Sequence, residues 1–243
     1  MMLAVPGPPA YENCLNNQEA PMPDLFSRHG IRAVLFDFDG TLADSPIDFM
    51  AMRKRAAEAV APLTRHCLRT DRPLMEALEE LYAQMDAETA GLARGKAMRA
   101  VVDVEIEAAR RARLFPFALP LLDALRGRGI ATGVVTRNCP EAIFTVCPGL
   151  RDHVGCVLTR YDVSHVKPHP QHIGSALSAL GCSGSECLMV GDHPMDIEAG
   201  KRAGTLTAGV CSGDIPRERL AEARPDWLAR DAGQLMLLFG ISA

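Results

Sequence analysis

Nowhere in the chain do apolar residues run on for the roughly 20 positions that a bilayer-crossing helix needs. A membrane-spanning protein is thereby excluded, and no membrane partner is expected. Positive charge is also in deficit, with 26 Lys and Arg against 30 Asp and Glu and a net charge of −4. Binding to nucleic acid normally needs clustered Lys and Arg, so no nucleic-acid partner is expected and a small molecule becomes the expected one. No CxxC pair occurs among the eight cysteines, and 243 residues with 48% hydrophobic content can build a core without disulfides. The thiols are therefore expected to stay reduced, which fits a cytoplasmic setting. The same lack of paired cysteines leaves His169, His172 and His193 without a zinc-ligand spacing, so capping or solvent-facing roles are expected for them. No internal repeat, signal peptide or anchor is visible, and the oligomeric state is left open.

Proline is plentiful only where apolar periodicity is scarce. Pro6, Pro8, Pro9, Pro21 and Pro23 crowd the start, so residues 1–30 read as an extended, mobile leader. Beyond it, strand-sized apolar runs recur: "AVLF" at 33, "IATGVVT" at 130, "GCVLT" at 155, "CLMV" at 187 and "LTAGV" at 206. Runs apolar on both faces belong in a parallel sheet covered by helices. Helix-length segments opened by proline, Pro170 to Leu180 and Pro194 to Ala203, lie between the later runs. The alternation predicts an α/β fold, a doubly wound parallel sheet of Rossmann-like form.

Residues 45–115 break the alternation and read as helices only. Ser45 and Pro46 offer a helix start, and Leu74, Leu78, Leu81 and Met85, then Met98, Val102 and Ile106, repeat at helical spacing. The expected organisation is an α/β core of residues 31–44 and 116–243 carrying a helical cap of residues 45–115. The apolar stripes of that cap supply its own core and a face that closes over the site.

Chemistry is expected at the carboxyl ends of the strands, where open α/β sheets bind their ligands. Asp37 and Asp39 follow the first run in "AVLFDFDGTLADS", and Thr136 follows the second in "VVTRN". Lys167 follows the third in "HVKPHP", and Asp192 and Asp196 follow the fourth in "LMVGDHPMDIEAG". Two carboxylates at the end of a buried strand need something cationic opposite them. Alternation along extended chain points residues 37 and 39 to one side and Phe38 to the other. A calcium loop does not fit, because Leu42 stands where the invariant glycine would be.

The ordered set DxDGT, T, K and GDxxxD resembles the haloacid dehalogenase-like hydrolase superfamily, in particular its phosphoglycolate phosphatase-like branch with a helical cap. The resemblance implies a Mg²⁺-dependent phosphatase acting on a small phosphomonoester, with phosphoglycolate the leading candidate, through an aspartyl-phosphate intermediate. Asp37 would be the nucleophile and Asp39 the general acid and base. Mg²⁺ would be held by Asp37, Asp192 and the backbone carbonyl of Asp39, a donor set that suits a hard cation. Thr136 and Lys167 would bind the phosphoryl group, near the helix that Pro140 helps start. Asp196 would brace the metal water or Lys167. Arg137 stands where the branch commonly has asparagine, and a contact to phosphate or to substrate is left open.

Alternatives on the same core are a sugar phosphomutase of the β-phosphoglucomutase kind and a phosphonatase. The latter needs a cap lysine, for which only Lys54 and Lys96 stand in residues 45–115. Haloacid dehalogenation is disfavoured by the second acid, Asp39. A non-catalytic binding module is disfavoured because every expected acid is in place. Arg53, Lys54 and Arg99 are candidates for substrate selection from the cap.

Overall fold

The computed structural model describes residues 25–241. Eight strands occur in the order β1 (Ala33–Phe36), β2 (Ala43–Asp44), β3 (Arg113–Leu114), β4 (Ala131–Val135), β5 (Cys156–Leu158), β6 (Cys187–Gly191), β7 (Leu206–Val210) and β8 (Trp227–Ala229). Six of them form one sheet in the order β5-β4-β1-β6-β7-β8, with every pairing parallel. β1 therefore sits in the middle, between β4 and β6, where the strand order reverses. That reversal is where a doubly wound sheet opens a crevice at its carboxyl end.

The four residues of β1 are all buried because helices cover both faces. Val34 and Phe36 pack with Leu121, Leu122, Leu125 and Phe239 on one face. Ala33 and Leu35 pack with Ile173, Ala176 and Ala199 on the other, as the two-residue alternation of a strand requires. Truncating Leu35 or Phe36 to alanine would cost about 2–5 kcal/mol by this burial. All five apolar runs became strands. The sixth strand, β8, has only three residues and no extended apolar run to announce it.

Between β2 and β3 lie the helices Phe49–Val60, Leu74–Tyr82 and Ala87–Ala109. Their shared cluster contains Met52, Ala56, Leu78, Leu81, Tyr82, Ala93, Ala97 and Val101. Ala93, Ala97 and Val101 recur every four residues, and small side chains at that spacing let the first and third helices approach closely. Val102, Ile106 and Ala109, on another face of the long helix, pack instead with Cys139 and Ala142 of the core. One helix thus carries both the inserted segment's packing and its attachment.

Two expectations for this segment need correction. The first helix starts at Phe49, capped by the Asp48 carboxylate, which accepts from Ala51 N at 2.8 Å; Ser45 and Pro46 lie before it. Residues 45–115 are also not helices only, because β3 pairs antiparallel with β2 and runs the two connections side by side. The leader expected over residues 1–30 falls outside the described residues as far as residue 24. Its last part is helical, Leu25–His29, because Phe26 buries against Phe239 with ring centroids 5.0 Å apart. Among the described residues no helix is long and apolar enough to cross a membrane, and seven cysteines are free thiols.

Candidate active site

The β1 backbone carries its parallel pairing one residue past the strand, with Asp37 N donating to Val190 O at 2.9 Å. The chain then turns sharply. Leu42 N and Ala43 N both donate to Phe38 O, and Gly40 takes φ +74°, a conformation that side-chain-bearing residues resist. Phe38 is fully buried in the core cluster, while Asp37 and Asp39 on either side of it are only partly buried. The alternation expected at these three residues holds.

Lys167 comes from the loop after β5 and is almost entirely buried. Its Nζ lies 2.9 Å from Asp37 Oδ1 and 2.7 Å from Asp196 Oδ1. Burial alone would lower this ammonium, but Asp196 and Asp37 outweigh it and hold Lys167 above its ordinary value. Asp196 is fully buried at the start of the helix Pro194–Arg202, where its Oδ2 accepts from His193 N at 3.0 Å. His193 and His169 serve as helix caps, as expected for them. His172 does not face solvent; it is buried, with Nδ1 accepting a long bond from Lys167 N at 3.4 Å.

Carboxylate oxygens of Asp37, Asp192 and Asp196 lie within 4.8 Å of one another. Three carboxylates share one contacting ammonium, so with all three ionised two negative charges of the cluster stay unmatched. Burial, with Lys167 opposing and Asp196 adding to it, raises Asp37 to about 6. Burial together with Asp37 and Asp196 raises Asp192 further, to about 8. A hard divalent cation fits this donor set, because all ligands are oxygen and the unmatched charge is two. Space is reserved for the Asp192 carboxylate: a Cβ at Gly40 would come within 2.4 Å of its Oδ2 and one at Gly213 within 1.9 Å. Asp37 Oδ1 meets Lys167 and Phe38 N, which leaves its Oδ2 for a cation beside Asp192, whereas both Asp196 oxygens are engaged, by Lys167 and by His193 N. Asp39 stands outside this carboxylate cluster.

Asp39 is raised from its ordinary value by burial and by Asp37, with the Ser45 hydroxyl and Asn138 opposing. Asn138 Nδ2 donates to Asp39 Oδ2 at 3.1 Å, and Asn138 N donates to Thr136 Oγ1 at 3.0 Å. Thr136 is buried at the end of β4. Arg137, next along the chain, places Nη1 2.9 Å from Met195 Sδ. Among the described residues it forms no ion pair. Arg53, a candidate for substrate selection, is occupied elsewhere: its guanidinium holds the carbonyls of Arg69 and Arg72. Lys54 pairs loosely with Glu58 on the surface, and Arg99 is exposed.

Four residues that belong to this site escaped the sequence reading. Asn138 fixes Asp39. Ser212, after β7, donates to Gly40 O at 2.6 Å, and Gly213 beside it leaves room for Asp192. Glu105, buried on the helix Ala87–Ala109, pairs with Arg160 of the loop after β5. The glycine after a strand-end serine was the one available signal; the others have no local pattern.

A doubly wound sheet with an acidic, lysine-bridged cluster at its carboxyl end defines an α/β protein with its candidate site at the strand-order reversal. The family model for haloacid dehalogenase-like hydrolases matches residues 31–204, and the chain belongs to that family. A pyrophosphatase PpaX from Anoxybacillus flavithermus is 39% identical over 127 residues, which is 50% of this chain and 58% of that relative. The chain is thus matched to little more than half the length of that protein. A pyrophosphatase PpaX from Bacillus velezensis is 29% identical over 223 residues, 87% of this chain and 97% of the relative. The solved structure of a hydrolase from Pseudomonas syringae has the same fold, with a TM-score of 0.66 at 23% identity, covering 87% of this chain and 100% of that one.

Proposed function

We propose that this hydrolase is a Mg²⁺-dependent phosphatase that transfers the phosphoryl group of a small, anionic phosphoester to Asp37 and then to water. The observation that carries the reading is the Lys167 ammonium set between Asp37 and Asp196 in a cluster that leaves two negative charges unmatched. An anionic nucleophile reaches an anionic phosphorus only where such cations offset the repulsion. Asp37 and Asp192 would hold Mg²⁺, which would supply the remaining positive charge when bound.

The chain's own groups account for the rest. A carboxylate oxygen of Asp37 attacks phosphorus, forming the acyl-phosphate bond as the bond from phosphorus to the leaving oxygen breaks. Asp39, raised from its ordinary value chiefly by burial, gives its proton to that leaving oxygen. The same carboxylate then takes a proton from water, whose oxygen attacks phosphorus and returns Asp37 as a carboxylate with release of inorganic phosphate. Lys167 and the Thr136 hydroxyl hold the phosphoryl oxygens, and Asp196 keeps Lys167 in place. Asn138 aims Asp39 by its 3.1 Å bond. The helices of residues 45–115 act as a cap that excludes water during transfer to Asp37.

The leaving group is small. Phosphoglycolate fits this reading, and the relatives named pyrophosphatase favour pyrophosphate as a second substrate. Cytoplasmic residence fits a chain whose seven described thiols are free. The test is release of phosphate from p-nitrophenyl phosphate with and without Mg²⁺, in the native protein and in Asp37→Asn. Dependence on the ion and loss in the variant are expected; activity that persists in purified Asp37→Asn contradicts the assignment of the nucleophile.

A further inference from the structure

The two other cations packed around the site each have a carboxylate in contact. Lys167 touches Asp37 and Asp196, and Arg160 touches Glu105. Arg137 is the exception among them. Burial, opposed by Asp196 and Asp37, pulls its guanidinium below the ordinary value. Yet no carboxylate among the described residues lies within 4.0 Å of it, and its one side-chain hydrogen bond is to the Met195 thioether. Thioether sulfur is a weak, uncharged acceptor, whereas a guanidinium has five donors and cannot shed its charge.

The surroundings place this cation at the edge of the reacting centre. Arg137 follows Thr136 directly in the chain. Asp37 and Asp196 attract it from the core, Arg160 repels it, and Glu76 attracts it from the inserted helix Leu74–Tyr82. Arg137 therefore lies within electrostatic reach of both the Asp37 cluster and Glu76 of the inserted helices. A partly desolvated fork of donors without a protein acceptor is complementary to a planar or tetrahedral oxyanion.

We propose that Arg137 binds a second anionic group of the substrate, carried by the leaving group, so that the enzyme selects compact esters with a carboxylate or phosphate close to the scissile phosphoryl. This rests on the phosphatase reading above and assigns to Arg137 a specificity that reading does not contain. Phosphoglycolate and pyrophosphate share the required chemistry; p-nitrophenyl phosphate lacks it.

The experiment compares native protein, Arg137→Met and Arg137→Lys on pyrophosphate, phosphoglycolate and p-nitrophenyl phosphate with excess Mg²⁺. In Arg137→Met, kcat/KM for the preferred anionic substrate is expected to fall about 30-fold, mainly through KM. The fall for p-nitrophenyl phosphate is expected to be about a tenth as large, and Arg137→Lys recovers part of the difference. Whichever anionic substrate loses more identifies the second group as phosphate or carboxylate. Equal losses on all three substrates, or none, overturn the proposal.

Calorimetry covers the case of an inactive or poorly folded variant. The native protein is expected to bind methylenediphosphonate about 30-fold more tightly than methylphosphonate, beyond any difference in their binding of Mg²⁺. Equal affinities overturn the proposal. This binding measurement needs no turnover, so it stays separate from failure of the phosphatase reading, which shows as absence of phosphate release by the native protein from every substrate.

Discussion

Lys167 Nζ lies 2.7 Å from Asp196 Oδ1, and both side chains are sealed from solvent. Breaking a buried pair by removing one partner leaves the other charge without compensation. Lys167→Met is expected to lower the unfolding free energy by about 3–5 kcal/mol and the turnover rate by about a thousandfold. Urea denaturation and phosphate release measure the two effects. The double variant Lys167→Met with Asp196→Asn is expected to regain stability but not activity.

Gly213 and Asp192 constrain each other through space. An alanine Cβ at Gly213 would lie 1.9 Å from Asp192 Oδ2, which no side chain tolerates. Gly213→Ala is expected to push the carboxylate out of line and weaken Mg²⁺ binding about tenfold or more. The cost in stability is about 1–3 kcal/mol, as for other overpacked sites. Unchanged affinity in calorimetry would show that Asp192 does not need its present position.

Binding of Mg²⁺ should be linked to protons. Burial, with Asp37 and Asp196, pushes Asp192 up to about 8 in the cation-free protein. Below that pH the carboxylate holds a proton that a bound cation must displace, so affinity falls as pH falls. The Kd for Mg²⁺ is expected to rise about tenfold per pH unit between about 8 and 6, with proton release visible as a buffer-dependent heat. A pH-independent Kd over that interval contradicts the linkage.

His172 sets a second, separate pH dependence. Burial, with the Lys167 charge beside it, lowers its value from 6.5 to about 4. The unfolded chain therefore binds the proton first as pH falls. Stability supplied by the neutral ring is complete above 6.5 and declines as pH drops toward about 4. The difference corresponds to about 3 kcal/mol in all. Cation-free His172→Gln is expected to lose this part of the decline when denaturation is followed across the interval.

The parts of this molecule that are repeated or local could be read in the chain. Five apolar runs announced five strands, and Asp37, Lys167, Asp192 and Asp196, from the connections beyond three of them, lie together. Proline at a first turn located the helices Pro170–Leu180 and Pro194–Arg202 within a residue. Long-range partners could not be read. Glu105 looks like a surface acid on a mixed helix until Arg160, 55 residues away, is packed over it. Asn138 meets Asp39 only once β4 lies beside β1. The start at Phe49 was missed because Ser45 and Asp48 are both good caps, and only the packing of Met52 and Ala56 selects between their registers. β8 went unseen because a three-residue strand owes its conformation to its pairing with β7.

The account turns on a covalent bond between phosphorus and Asp37, and mass spectrometry of acid-quenched turnover reads that bond directly. With an active phosphoester and Mg²⁺ present, the peptide containing Asp37 should carry the mass of one phosphoryl group, lost on treatment with hydroxylamine and absent in Asp37→Asn. Rapid turnover with that peptide unmodified at every quench time, or with the phosphoryl group on another residue, would contradict it.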